Sequence, residues 1–326
     1  MRRREFITLL SVVAAAARPL AAKAQQTGSV PKVGFVFAGP EAYAKTRSAL
    51  VLDGLRSEGF REPNQVALVV CATGGDPARL APLLAELIAN KVDIILPMTA
   101  LTVSVHSAAP DIPIVTFELE LDPIESGMVA SLAHPGGNVT GIFLDLPEFG
   151  TTWLELLKEA LPRLASIVVL WDPSTPVAQR TAVLAAAKRL NIATEVMEVK
   201  EPAELDPVFE TASAHQPDGL LMLSAPVLSI YSKHVAELTL KHRLPAISMF
   251  SSFAHAGGLL AYGPNLEDLY REVGVMTGKV LKGTKPADLP VERPARFELV
   301  VNLKAAKALD LNISNLLLAR ADEVIE

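Results

Sequence analysis

The chain has 326 residues, 50% of them hydrophobic, 5% aromatic and 20% charged, a globular composition too long for one ordinary core, so two domains are expected. Its apolar runs stop short of the roughly 20 residues a membrane span needs, which argues against an integral membrane protein. The formal charge is −6, but residues 1–24 hold five Lys/Arg against one Glu; the remainder carries 25 basic against 35 acidic residues, a net −10 that repels phosphate backbones and argues against nucleic-acid binding.

Residues 1–24 read as an export signal. A basic cluster, Arg2-Arg3-Arg4, precedes an apolar stretch from Ile7 to Ala17, and Ala22-Lys23-Ala24 places small residues where a signal peptidase requires them, so cleavage is expected before Gln25 and the protein is expected in the periplasm. Arg3-Arg4 followed by Glu5-Phe6-Ile7 resembles the twin-arginine address of proteins exported already folded. Cys71 is alone, so no intramolecular disulfide forms, and its place at the end of the strand Val66–Val70 reads as a small buried hydrophobe.

From Pro31 onward β-rich runs alternate with helix-period segments, the pattern of a parallel sheet covered on both faces. Strands are expected at Lys32–Phe37, Gln65–Val70, Val92–Pro97, Ile112–Phe117 and Asn138–Phe143. A helix over about Ala42 to Glu58 ends at Gly59, and another opens on Asp76 with Pro77 at its first position and faces the core with Leu80, Leu83, Leu84, Leu87 and Ile88. After Gly150 the rhythm restarts. Strands are expected at Ser166–Trp171, Ala193–Val199, Asp218–Leu223, Pro245–Met249 and Leu259–Tyr262, between helices near Thr152–Ala160, Pro176–Leu190, Ala203–Ala214 and Ile230–His242. A helix Leu266–Leu281, a connector Gly283 to Pro294, a strand Phe297–Val301 and a helix from Leu303 follow. The fold class is α/β: two doubly wound parallel-sheet lobes joined by several chain crossings.

Ligands of such sheets bind beyond the carboxyl ends of the strands, so function is expected in the loops Ala38–Pro40, Met98–Ala100, Glu118–Asp122, Asp145–Pro147, Asp172–Thr175, Ser224–Pro226 and Phe250–Phe253. Catalytic constellations do not emerge. There is no G-x-S-x-G elbow and no G-x-G-x-x-G after a strand; Gly278–Gly283 has phosphate-loop spacing, but Thr284-Lys285 reverses the required order. His106, His134, His215, His234, His242 and His255 show no metal-ligand spacing and read as surface or helix-end residues, His255 with slightly more suspicion because it follows the Phe250–Phe253 loop. Glu118, Glu120 and Asp122 stand two apart after an apolar strand, either to recognise a cationic or hydroxylated group or as a solvated loop. No metal, cofactor or catalytic residue is expected.

Several segments together carry a family resemblance: Leu132-Ala133-His134-Pro135-Gly136-Gly137-Asn138-Val139-Thr140-Gly141, Leu170-Trp171-Asp172-Pro173, His242–Ala246, Ala256–Leu259, Tyr262-Gly263-Pro264-Asn265, Lys285–Pro290 and Leu318–Ile325. In this order, over residues 31–326, the chain resembles the ABC-transporter substrate-binding family that includes tryptophan- and tyrosine-type binding proteins. The resemblance implies a periplasmic-binding-protein type I fold with three crossings, near Gly141, Pro264 and Pro290. Lobe 1 would comprise 31–141 plus 265–289, and lobe 2 142–264 plus 290–326. It implies a monomer that holds a small anionic organic solute, amino-acid-like or aromatic, and presents it to an inner-membrane ABC permease; a receptor of the same fold feeding a signalling partner, a cytoplasmic regulator and an exported enzyme are the alternatives.

The family's cleft positions map onto the strand-end loops, giving Gly39, Thr99, Ala100, Glu118, Asp122, Phe143, Asp172, Ser174, Ser224, Phe250 and Ser251 as the expected ligand-binding set. Thr99 and the amides after it would hold a carboxylate at a helix N-terminus. Asp172 stands where relatives often have Asn, and Ala225 where they often have Asp before Pro, which argues against an amino-acid ligand unless Asp172 or Glu118 compensates. Phe37, Phe143 and Phe250 are possible stacking surfaces, with core favoured for Phe37 and Phe143.

Overall fold

The computed structural model describes residues 29–98, 101–118, 121–144 and 146–326, without the side chains of residues 146–148. The export signal expected over residues 1–24, and Thr99 and Ala100, lie outside the described residues. Strands β1 (Lys32–Phe37), β2 (Ala67–Ala72), β3 (Ile94–Pro97), β4 (Ile114–Glu118) and β5 (Val139–Phe143) form a parallel sheet in the order β2-β1-β3-β4-β5. Helices α1 (Glu41–Ser57), α2 (Leu80–Ala89) and α3 (Thr102–Ala108) connect its first four strands. The sheet interior is apolar: Val33, Phe35, Ile95 and Val115 are fully buried, as two-sided coverage requires.

A second sheet repeats the order. After α4 (Leu146–Ala160) come β6 (Ser166–Trp171), α5 (Val177–Arg189), β7 (Ala193–Glu198), α6 (Leu205–Ala214) and β8 (Gly219–Met222). Helices α7 (Pro226–Ile230) and α8 (Ser232–Lys241), β9 (Ala246–Ser248), α9 (Ser251–His255) and β10 (Leu260–Pro264) complete the run. Reading β7-β6-β8-β9-β10 gives the same order as the first sheet, and β11 (Phe297–Asn302) and β12 (Glu323–Ile325) extend it to seven strands. Because β11 runs antiparallel to β10, this sheet is not wholly parallel as expected.

Each lobe borrows a helix. α4, which leaves the first sheet after β5, packs on α5 of the second; α10 (Leu266–Leu281), which leaves the second sheet after β10, packs on α1 of the first. The α1–α10 contact is backbone against backbone. A Cβ on Gly54 would fall 2.0 Å from the Arg271 carbonyl oxygen, and one on Gly274 2.1 Å from that of Val51, so only glycine allows this approach. The third crossing, after the turn at Pro286–Asp288, runs beside β5: Thr140 Oγ1 donates to the Leu289 carbonyl (2.7 Å) and Phe143 N to that of Glu292 (2.8 Å). β5 itself pairs with β4 through Phe143.

Local differences from the expected elements have local causes. Asp76 accepts a hydrogen bond from Ala78 N, but the turn it caps is a single 3-10 turn, Pro77–Arg79, before α2. Only Leu84 and Leu87 of the expected stripe are fully buried; Leu87 seats on Gly34 of β1, which leaves Ile88 39% exposed at the edge. The expected helix Ile230–His242 is α7 and α8, broken at Tyr231. Residues 146–147, expected in a loop, open α4, and the Phe250–Phe253 loop is the cap and first turn of α9. Cys71 is buried, and desolvation, with Glu86 nearby, pushes its thiol pKa up.

Candidate functional site

The carboxyl ends of both sheets converge on a cleft of ≈ 630 Å³, part of it open to solvent. From the first sheet come Phe37 at the end of β1 and Gly39 just after it, Met98 after β3 and Phe117 within β4. From the second come Ser224 and Ala225 after β8, Ser229 and Ile230 on α7, and Phe250 after β9. Helices finish the wall, because α1 and α10 both start directly beyond strand ends: α1 contributes Tyr43 and Arg47, one turn apart, and α10 contributes Leu266 and Tyr270 in the same relation. Gly39 permits the lobes to approach, since a Cβ there would lie 2.7 Å from the Ile230 side chain. At that point the lobes are bonded: Tyr43 Oη donates to the Ile230 carbonyl at 3.0 Å.

The aromatic part of the wall is locked by packing. Phe117 and Tyr270 meet edge to face with centroids 4.9 Å apart and planes at 88°, and Phe35 packs beneath both Phe37 and Tyr270. Burial pushes the Tyr270 phenol above its ordinary range, and Arg47 opposes this weakly, so it stays neutral at physiological pH. The Arg47 guanidinium carbon lies 5.5 Å from the Tyr270 ring centroid, a cation–π contact. The described wall thus presents five aromatic rings, aliphatic side chains, a few hydroxyls, one cation and no carboxylate. Such a slot suits a small molecule with an apolar body and an anionic end.

A neighbouring cavity of ≈ 260 Å³ shares Ser224, Ser229 and Phe250 with the cleft and adds Ser232, Ser248 and Ser252. Among the described residues no group of three or more His, Cys, Asp or Glu could hold a metal ion. Three of the histidines contact carboxylates: His215 with Glu195 (2.6 Å), His234 with Asp206 (2.8 Å), and His255, away from the cleft, with Glu323 (2.9 Å).

Of the residues expected from sequence, Gly39, Ser224 and Phe250 line the cleft together. Glu118 and Phe143 are buried and open instead on a separate cavity of ≈ 250 Å³ between β4, β5 and Val291. Asp122 caps its own turn, accepting from Ile124 N (2.7 Å) and Glu125 N (3.1 Å). Asp172 is buried and does likewise: Oδ1 accepts from Ser174 N at 2.8 Å, while Ser174 is exposed and off the cleft wall. Ser251 opens α9 without reaching the wall. Phe37, favoured as core, is half-buried and faces the cleft. Sequence reasoning passed over Tyr43, Arg47 and Tyr270, all on helices; the available signal was Arg47 within the otherwise buried stripe Ala44, Ser48, Val51 and Leu55.

The model of the family described as ABC transporter substrate binding protein matches residues 35–325. The chain is 24% identical over 284 residues to a tyrosine-binding protein of Clostridioides difficile strain R20291, covering 83% of this chain and 79% of that protein. Among solved structures it is similar to an ABC domain in complex with L-Trp from Streptococcus pneumonia, with TM-score 0.81 and 25% identity over 91% of this chain and 100% of the other. It also resembles the ligand-free, open form of a substrate-binding protein with adhesive properties from Clostridium difficile, with TM-score 0.65 and 22% identity over 91% and 99% of the two chains. The two-lobed architecture is that of type I periplasmic binding proteins.

Proposed function

We propose, given that the chain belongs to the ABC transporter substrate-binding protein family, that it captures a small organic anion between its lobes and delivers it to an inner-membrane permease. The observation that carries this reading is the cleft itself, walled by the strand ends of both sheets and bridged by Tyr43 and Ile230. Ligand binding biases the lobes toward the closed arrangement, a hinge transition about the three connections between them. The amino-terminal pattern Arg2-Arg3-Arg4, Ile7–Ala17 and Ala22–Ala24 supports export to the periplasm with cleavage before Gln25, through a twin-arginine address. The solute is of amino-acid or aromatic-acid size, consistent with the tyrosine and L-Trp named for two relatives and with the aromatic wall.

Native mass spectrometry of the purified protein, followed by a thermal-shift screen of amino acids, aromatic acids and other small organic anions, tests the proposal. A co-purifying small mass, or one chemical class raising the melting temperature and recovered unchanged, is the expected result. A ligand at 100 times its Kd adds about 2.7 kcal/mol, which a melting curve resolves. Chemical conversion of the compound during incubation, or no response to any class, overturns it.

A further inference from the structure

Among the described residues, the cleft holds a charge without a counter-charge. Arg47 is half-buried on α1, and no carboxylate lies within ion-pair distance of it among the described residues; the contact it makes is with the face of Tyr270. A ring quadrupole compensates a desolvated guanidinium only in part, and the fork of donors that Arg carries matches a carboxylate. The apolar part of the wall, Phe37, Met98, Phe117 and Phe250 among others, lines a cleft of ≈ 630 Å³, which has space for one aromatic or branched apolar body.

The described wall offers a cation no carboxylate. Two described strand-end carboxylates expected from sequence at the cleft are turned away: Asp172 accepts from Ser174 within its own turn, and Glu118 faces the separate cavity beside Phe143. Ala225, at the mouth of α7, offers no acceptor side chain. An ammonium carried into this cleft would lose its hydration, meet Arg47 and find no described carboxylate to pair with.

We infer that the cleft selects an apolar monocarboxylate lacking an α-ammonium group, an arylalkanoic acid in chemical class, with its carboxylate on Arg47 and its apolar body among Phe37, Phe117, Phe250 and Tyr270. This deepens the reading of the chain as a solute receptor and rests on it. Arg47 is then the specificity residue. It separates acid from amide through charge, and the lack of a carboxylate among the described wall residues separates acid from amino acid.

Isothermal titration calorimetry of the purified protein with 3-phenylpropionate and indole-3-propionate, with their primary amides, and with phenylalanine and tryptophan, reads both separations. The acids are expected to bind, with the amides and the amino acids each at least about tenfold weaker, the scale of a charge-assisted hydrogen bond lost or a charge left unpaired. Arg47→Gln is expected to bring acid and amide affinities together, and Arg47→Lys to retain part of the difference. The amide and amino-acid comparisons on the parent protein stand even if Arg47→Gln does not fold. Phenylalanine or tryptophan binding as tightly as its deaminated acid overturns the inference and leaves the receptor reading intact, as does an acid affinity unchanged in Arg47→Gln. No binding by any of the six compounds also overturns the inference, whereas the receptor reading falls only if the broader native-mass and thermal-shift screen is empty as well.

Discussion

The two lobes share one strand order and differ in how their borrowed helix is seated. In the second lobe the α4–α5 contact is less close: Trp153, Leu154 and Leu157 of α4 are buried, and a Cβ on Gly150 would lie 3.0–3.2 Å from Cγ2, Cα and N of Val183, a tight fit that a shift of a few tenths of an ångström relieves. In the first, α10 meets α1 through the bare backbones of Gly54 and Gly274. The difference follows what the helices carry. α4 and α5 bury core, whereas α1 and α10 carry Arg47 and Tyr270 to the cleft, so the glycine contact sets the separation of the cation from the ring. A shared topology therefore fixes where a site lies, and the packing of one helix pair decides what the site holds.

The largest test of this contrast is Gly54→Ala or Gly274→Ala against Gly150→Ala. Either of the first two drives a Cβ into a carbonyl and is expected to cost about 2–4 kcal/mol of stability in urea denaturation, whereas Gly150→Ala should stay within about 1 kcal/mol of the parent. Equal effects at the two helix pairs would remove the distinction. Tyr43→Phe asks whether the inter-lobe bond supports closure. It is expected to lower affinity roughly two- to fivefold, about 0.5–1 kcal/mol for a partly exposed hydrogen bond, leaving the unliganded melting temperature unchanged; small-angle scattering should report a more open average.

The smallest effect concerns a device both lobes repeat. The residue before the third strand of each order ties down the start of the first: Asp93 accepts from Lys32 N at 2.8 Å, and Asp218 accepts from Ala165 N, Ser166 N and Ser166 Oγ at 2.8–3.0 Å. The bond from Ala165 N, with those from Ser166, holds the Asp218 carboxyl below its ordinary pKa despite some desolvation. Its contribution is therefore full above about pH 4 and is lost as acid protonates the native carboxylate below that. Asp218→Asn is expected to destabilise by less than about 1 kcal/mol at neutral pH, given its exposure, with the difference from the parent vanishing in the acid limb. Asp93→Asn, which loses one such bond, should cost less at pH 7; chemical denaturation at pH 7 compares the two variants, and a repeat at pH 3 checks Asp218→Asn.

Much of the architecture is readable from residue order because strands buried on both faces are uniform apolar runs. β1, β6 and α10 begin and end where periodicity places them. The short elements α9, the helix Asn315–Arg320 and β12 were not separable, since five, six or three residues hold too little periodicity and their ends depend on neighbours such as Asn302, whose side chain donates to the Ala254 carbonyl. The site divided along the same line. Gly39, Ser224 and Phe250 follow from the rule that strand-end loops meet the ligand, but Asp172 and Asp122 satisfy their own turns, a local competition that residue type alone does not reveal. Arg47 and Tyr270 belong to helices that a loop-centred reading assigns to scaffolding; a charge in a buried stripe was the clue.

The exchange of α4 and α10 also sets an order of events at the ribosome. The strands of the first sheet have all been made once Phe143 emerges, yet the glycine face of α1 stays uncovered until Leu266–Leu281 arrives, after the second sheet has been laid down through β10. The lobe synthesised first is completed last, and the aromatic pocket with its arginine is assembled only when the nascent chain has returned to its beginning.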